Sequence, residues 1–262
     1  MQKTIDYKHA SNSTLKLHIF DEGGPGDPPR PAIVFFFGGG WVNGTPTQFF
    51  PHCQYLASRG MVAISAEYRV HSRHATTPFE CVVDGKSAIR WVRAHTNELG
   101  IDPQRVAAGG GSAGGHVAAC AAMVPGFGES GEDASISAIP DALVLFNPVV
   151  DTTPERFAPR LDGHATGLSP LHHVKPGLPP TIIFHGIDDF VVPYSDVERF
   201  ANAMHAANNV CELVGFEGKG HGFFNHGRDD GTAYYETLRT ANCFLTEQGF
   251  LTGEPTLEEA FL

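Results

Sequence analysis

The chain has 262 residues, 42% of them hydrophobic and 18% charged, with a formal net charge of −11. That content can fill a core and excludes intrinsic disorder, while the acidic balance offers no electrostatic footprint for nucleic acid or an anionic membrane surface. No apolar run nears the ~20 residues that a membrane span requires.

In chain order, Thr4 to Tyr7 and Thr14 to Phe20 alternate apolar and polar residues and predict an antiparallel strand pair. Asp21 to Pro31 is a Gly/Pro-rich turn. Ala32 to Phe37 is continuously apolar, as in a strand buried on both faces, and it ends in Gly38-Gly39-Gly40. A helix is predicted from Thr47 to Arg59, a second buried strand from Met61 to Glu67, and a helix from Phe79 to Asn97. Val106 to Gly109 is a strand leading into Gly110-Gly111-Ser112-Ala113-Gly114, and an Ala-rich helix follows from His116 to Met123. Pro125 to Asp133 is loop, and Ala142 to Asn147 and Thr181 to His185 are strands. Ser195 to Asn208 is a helix with Ser195 as cap and Glu198 at the capping-box position. Cys211 to Phe216 is a strand, and Thr232 to Gln248 is the closing helix. This alternation defines an α/β protein with a mostly parallel central sheet flanked by helices, in one domain spanning 1–262. The irregular Pro/Gly/His-rich stretch 151–180 lies between two strands and is expected to form a small cap over a pocket.

Three separated segments carry groups suited to acyl transfer. In the G-x-S-x-G turn, side chains two residues either side of Ser112 would collide with the neighbouring strand or helix, so glycine is required there. Downstream, His185-Gly186-Ile187-Asp188-Asp189 and Glu217-Gly218-Lys219-Gly220-His221 each follow a strand. Ends of parallel strands share one edge of a sheet, where ligands bind. A serine hydroxyl needs a base to become nucleophilic, His221 can serve near neutral pH, and a carboxylate fixes the imidazole tautomer. The N–H of Ala113 and those of Gly39 and Gly40 are candidate oxyanion donors. Trp41, Phe49 and Phe50 are candidate pocket residues.

These motifs together resemble the α/β-hydrolase superfamily in its esterase branch. Phe37-Gly38-Gly39-Gly40-Trp41 is similar to the HGGG-W oxyanion loop of hormone-sensitive-lipase-like and feruloyl/acetylxylan-esterase-like enzymes. The resemblance implies an α/β-hydrolase fold and a Ser112–His221–Asp189 triad, with Asp189 in the HG-x-x-D-x-x-V-P pattern and His221 in G-x-G-H-G-F. Glu67-Tyr68-Arg69 resembles the Y-R stretch of the same esterases. The chain departs from the pattern at Phe37, where the family places a histidine that helps hold the loop. No long N-terminal cap is expected, because the first core strand is predicted near Ala32.

The expected activity is a serine carboxylesterase on short acyl esters, acetyl above all, with acetylated carbohydrate as the substrate the resemblance implies. Feruloyl esterase or peptidase activity on the same fold is the alternative. Gly109, Gly111 and Gly114 also satisfy G-x-G-x-x-G, which admits a dinucleotide-binding protein, but no acidic residue follows at the end of a next strand. Asp188 competes with Asp189 for the acid role; His185 and His116 read as structural. The histidine pairs His71/His74 and His172/His173 lack metal-ligand spacing and read as cap or pocket-rim residues, so no metal and no cofactor are expected. A small ester or acylated carbohydrate is the expected partner, and a homodimer is compatible with the chain. The five cysteines are scattered with no C-x-x-C, which predicts free, mostly buried thiols. Met1 to Ala10 is polar without a signal-peptide pattern. The expected location is therefore cytoplasmic, or periplasmic or secreted if a signal peptide has been removed.

Overall fold

The computed structural model describes residues 2–10, 13–23 and 28–257. Its strands are β1 Gln2–Ala10, β2 Ser13–Phe20, β3 Arg30–Phe36, β4 Val62–Ala66, β5 Ile101–Gly111, β6 Leu143–Phe146, β7 Thr181–Gly186 and β8 Cys211–Phe216. They form one sheet in the order β1-β2-β4-β3-β5-β6-β7-β8. β1 and β2, and β2 and β4, pair antiparallel, and every later pair is parallel. This is the mostly parallel α/β-hydrolase sheet expected from the sequence. Part of the predicted Gly/Pro turn, 24–27, lies outside the described residues.

The helices are α1 Phe50–Ser58, α2 His71–His74, α3 Pro78–Ala94, α4 Thr96–Leu99, α5 Ala113–Met123, α6 Ala158–Leu161, α7 Tyr194–Ala206 and α8 Thr232–Glu247. Successive strand side chains point to opposite faces, so the continuous apolar run of β3 feeds two cores. Ala32, Val34 and Phe36 join the core covered by α3, α5 and α7. Ile33 and Phe35 join the one covered by α1 and α8. That double burial is why β3 reads as apolar throughout rather than alternating.

Two local expectations are corrected. The helix predicted from Thr47 begins as a 3-10 turn, Pro46–Phe49, and becomes α-helical only at Phe50. Pro46 and Pro51 each stand in a first turn, where a missing N–H costs nothing. The predicted Ser195/Glu198 capping box does not form: α7 starts at Tyr194, Pro193 is the N-cap, and among the described residues no side chain caps it. A complete capping box does occur at α3, between Thr77 and Glu80.

The stretch between β6 and β7 folds over the sheet edge as short turns, including Glu155–Phe157, α6, Thr166–Leu168 and Pro170–His173. Its own Phe157, Leu161 and Leu168 are buried. Ion pairs from Arg156 to Asp196 (2.7 Å) and from Arg199 to Asp151 (2.7 Å) tie it to α7. Elsewhere, Asp84 of α3 is fully buried. Arg69 binds it through Nε and Nη2, both at 2.8 Å, and Lys8 of β1 reaches it at 2.7 Å. Lys8 also meets Glu129 at 2.6 Å.

His52 on α1 is fully buried inside Phe35, Phe49, Phe146, Phe224 and Tyr234, and among the described residues neither ring nitrogen has a hydrogen-bond partner. Burial lowers its pKa to about 3. Below the ordinary value of ~6.5 the unfolded chain takes up a proton here that the folded chain refuses. Stability is thus lost as pH falls from about 6.5 toward about 3, by up to ~1.4 kcal/mol per pH unit for this group. His116, buried and lowered to about 4, acts with the same sign. His52→Leu is expected to match or exceed the native stability at pH 7, because it removes two unsatisfied polar atoms. Its advantage should widen at pH 5, as read by denaturant unfolding at the two pH values; a pH-independent difference would contradict this account.

Candidate active site

Ser112 sits between β5 and α5 with φ 51° and ψ −117°, outside the regions L-residues favour. Such strain costs about 1–3 kcal/mol and persists only where the surroundings enforce it. Here close packing enforces it. A β-carbon at Gly114 would overlap the carbonyl oxygens of Phe36 and Phe37, and one at Gly110 would lie 2.5 Å from the Phe36 oxygen. The first turn of α5 therefore rests directly on the end of β3. The Ser112 N–H donates to the Phe146 carbonyl at 2.9 Å, which fixes the turn to β6.

His221 and Asp189 arrive on the loops after β8 and β7. His221 Nε2 lies 2.9 Å from Ser112 Oγ, and His221 Nδ1 lies 2.7 Å from Asp189 Oδ2. The Asp189 carboxylate is buried, and its Oδ1 accepts the N–H groups of Val191 (2.8 Å) and Val192 (2.9 Å). Burial alone would push its pKa up. The His221 hydrogen bond and the two amides outweigh this and hold the carboxyl below the usual carboxylate range. Glycine again permits the approach, since a β-carbon at Gly186 would overlap the Lys219 carbonyl on the histidine loop. Asp188 is exposed, and its N–H donates to the Lys219 carbonyl. His185 donates from Nε2 to the Val192 carbonyl at 2.8 Å and shapes the acid loop.

After β3 the chain turns through Gly39 (φ +128°), Gly40 (φ +62°) and Trp41 (φ +61°). A β-carbon at Gly38 would stand 3.4 Å from the Ser112 β-carbon, so this loop abuts the elbow. Among the described residues the N–H groups of Gly39, Gly40 and Ala113 donate to no protein acceptor. Phe37, at the family's histidine position, stacks on Tyr68 with ring centroids 4.2 Å apart, and the Tyr68 hydroxyl donates to the Phe37 carbonyl at 2.6 Å. Gln48 Oε1 accepts the Gly38 N–H at 2.7 Å, while its Nε2 donates to Asn225 Oδ1 at 2.8 Å. Asn225 donates to the Gly222 carbonyl (2.7 Å), and the Gly222 N–H donates to Asn147 Oδ1 (2.9 Å). A continuous polar chain thus joins the glycine loop to the histidine loop. Gln48, Asn225 and Asn147 carried no motif in the sequence.

Trp41 is buried, donates from Nε1 to His116 Nδ1 at 3.2 Å, and meets Phe157 of the cap edge-on. Since Nδ1 of His116 accepts, its Nε2 carries the proton and donates to the Leu168 carbonyl at 2.7 Å. Trp41 borders a cleft beside Gly40, but the other two candidate pocket residues do not. Phe49 is fully buried, stacked on Phe35 and Phe224. Phe50 packs on Phe20 and His18. The 3-10 turn at Pro46 carries both toward the α1/α8 core. The glycines of the dinucleotide-type pattern are explained by packing: β-carbons at Gly109 and Gly111 would press on Phe35 and Phe224. Among the described residues, no group of three His, Cys, Asp or Glu side chains is placed to hold a metal.

A hydroxyl, imidazole and carboxylate in line beside unpaired amides define an α/β-hydrolase-fold serine esterase. Residues 19–152 match the BD-FAE family model, and residues 153–242 match the model of the prolyl oligopeptidase family. The chain belongs to the BD-FAE family of these esterases. It is 51% identical to the apo form of Thermogutta terrifontis esterase 2, with a TM-score of 0.93 over 97% of each chain. The propionate-bound form of that esterase is 50% identical with the same TM-score, covering 97% of this chain and 96% of that one. Esterase LipC of Mycobacterium tuberculosis is 31% identical over 219 residues, 74% of this chain and 53% of LipC. The chain spans about half the length of the curated relatives it matches.

The Gln48 bridge yields a prediction. Gln48→Ala removes the acceptor of Gly38 N–H and unlinks Asn225. With the glycine loop loosened, kcat on a short p-nitrophenyl ester is expected to fall roughly tenfold with KM little changed. That is less than the 10²–10³ for losing an oxyanion donor outright. An unchanged kcat would show that the loop holds its shape without the bridge.

Proposed function

We propose that this chain is a serine carboxylesterase that hydrolyses short-chain acyl esters through an acyl-enzyme. The observation that carries the reading is the unbroken hydrogen-bond chain from Ser112 through His221 to Asp189 beside the free amides of Gly39, Gly40 and Ala113. As Ser112 Oγ attacks the ester carbonyl, His221 Nε2 takes its proton. Asp189 holds Nδ1–H, fixes the tautomer and stabilises the imidazolium. The developing oxyanion is met by the free amides, which need no reorganisation. His221 then protonates the departing alkoxide, leaving the acyl group on Ser112. Water, deprotonated by the same imidazole, releases the acid and restores the serine.

Short acyl groups are supported by esterase 2 of Thermogutta terrifontis, which has been captured with propionate and with butyrate, and phosphonylated by sarin. Acetyl is the acyl group we propose, and an acetylated carbohydrate is the alcohol side that the likeness to feruloyl and acetylxylan esterases suggests. The prolyl oligopeptidase match over 153–242 favours a second reading, peptide hydrolysis.

Initial rates over p-nitrophenyl acetate to laurate, acetylated xylan and a peptide p-nitroanilide separate these readings. Activity is expected to peak at two to four acyl carbons; a preference for long chains or for the anilide would overturn the proposal. Ser112→Ala should remove several decades of kcat while the far-UV spectrum is retained. Asp189→Asn should cost about 10⁴ in kcat, the size of the effect when the carboxamide favours the wrong tautomer. Asp188→Asn should leave kcat within a factor of two, and the reverse outcome would reassign the acid.

A further inference from the structure

Beside the glycine loop lies a cleft of about 680 Å³. One wall is Gly40 and Trp41, another is Pro78, and the cap closes it with Ala158, Pro159 and Arg160. The walls are mostly apolar, yet a guanidinium enters it. Nη1 of Arg160 lies 3.5 Å from where a side chain on Gly40 would begin, so it hangs over a residue whose N–H is among the free amides. Among the described residues Arg160 makes no hydrogen bond or ion pair. Its neighbour in the cap, Arg156, is bound to Asp196 and lies 4.6 Å over the Phe157 ring. The two arginines therefore divide the work: one anchors the cap, and the other is left facing the cleft.

The position of this charge relative to the reacting serine follows from the loop. Gly38 packs against Ser112, and Gly40 is two Cα steps of ~3.8 Å further on. An ester held at Ser112 whose chain runs along the glycine loop would carry a group several bonds from its carbonyl toward Arg160. A guanidinium presents a planar fork of donors that matches a carboxylate. It is also a local positive charge on a chain of net charge −11, which otherwise repels anionic substrates. Asp162 also lines the cleft, and among the described residues it makes no ion pair with Arg160.

Resting on the esterase reading above, we propose that Arg160 is a specificity-determining residue and that the cleft accepts esters bearing a carboxylate. The carboxylate would sit either on the acyl chain or on the alcohol, where in a carbohydrate it is that of an acidic sugar. Arg160 binds it and Asp162 limits the preference.

The test compares kcat/KM for matched pairs of esters. 4-Nitrophenyl hydrogen glutarate against 4-nitrophenyl pentanoate places the carboxylate on the acyl side. 4-Acetoxybenzoate against phenyl acetate places it on the alcohol side. In at least one pair the anionic-to-neutral ratio is expected to fall about tenfold in Arg160→Gln and further in Arg160→Glu, and to rise in Asp162→Asn. Added salt should lower the native ratio and leave that of Arg160→Gln nearly constant. The pair that responds identifies the side. If Arg160→Gln leaves both ratios within a factor of two, the proposal is wrong. If the native protein turns over neither neutral ester, the esterase reading itself has failed, which is a separate result.

Discussion

The first turn of α5 lies so close to the end of β3 that no side chain fits between them at Gly114. This contact holds Ser112 at a positive φ and presses the glycine loop after β3 against the elbow. Nucleophile and free amides are therefore positioned by one backbone-on-backbone contact, and neither is set independently of the other. A larger residue at 114 would have to move β3 or α5. Either movement would shift the hydroxyl and the amides together.

Around that contact the site is stiffened by side chains from distant segments. Gln48 and Asn225 span from the glycine loop to the histidine loop. Trp41, His116 and the Leu168 carbonyl span from the same loop through α5 to the cap. Buried hydrogen bonds of this kind are costly to leave half-made. Their effect here is to convert three loops, normally the most mobile parts of a domain, into a rigid frame. Tyr68 and Arg69 share this work: the tyrosine fixes the Phe37 carbonyl and the arginine fixes Asp84 in α3. The Y-R stretch is thus structural at both residues. The aromatic stack of Phe37 on Tyr68, with the Gln48 hydrogen bond to Gly38, does the holding that a histidine would otherwise perform.

Much of this was legible because it is written in local patterns. The apolar run of β3, the glycines around Ser112, and the strand-then-loop settings of Asp189 and His221 each show in a window of a few residues. The parallel sheet then places their strand ends together. What was not legible depends on partners far along the chain. Gln48 and Asn225 are polar residues 177 positions apart, and nothing in either neighbourhood marks the pairing. Phe49 and Phe50 follow the glycine loop closely enough to suggest a pocket. The short 3-10 turn changes the phase of the chain and sends them to the core instead. The Ser195/Glu198 pattern was real as spelling, but Pro193, with its fixed φ, determines where α7 begins.

The ionic cluster of Lys8, Arg69, Asp84 and Glu129 has a further consequence for how this chain can change over generations. Asp84 is wholly enclosed, so removing either cationic neighbour alone leaves a poorly compensated charge in the interior, whereas replacing the whole group with apolar residues need not. Substitutions at these positions are therefore strongly epistatic. Loss of Lys8 or Arg69 alone is the costly step, so an apolar replacement of the group is reached most readily by several changes together. The cluster should therefore persist as a unit, even though none of its members touches the reaction.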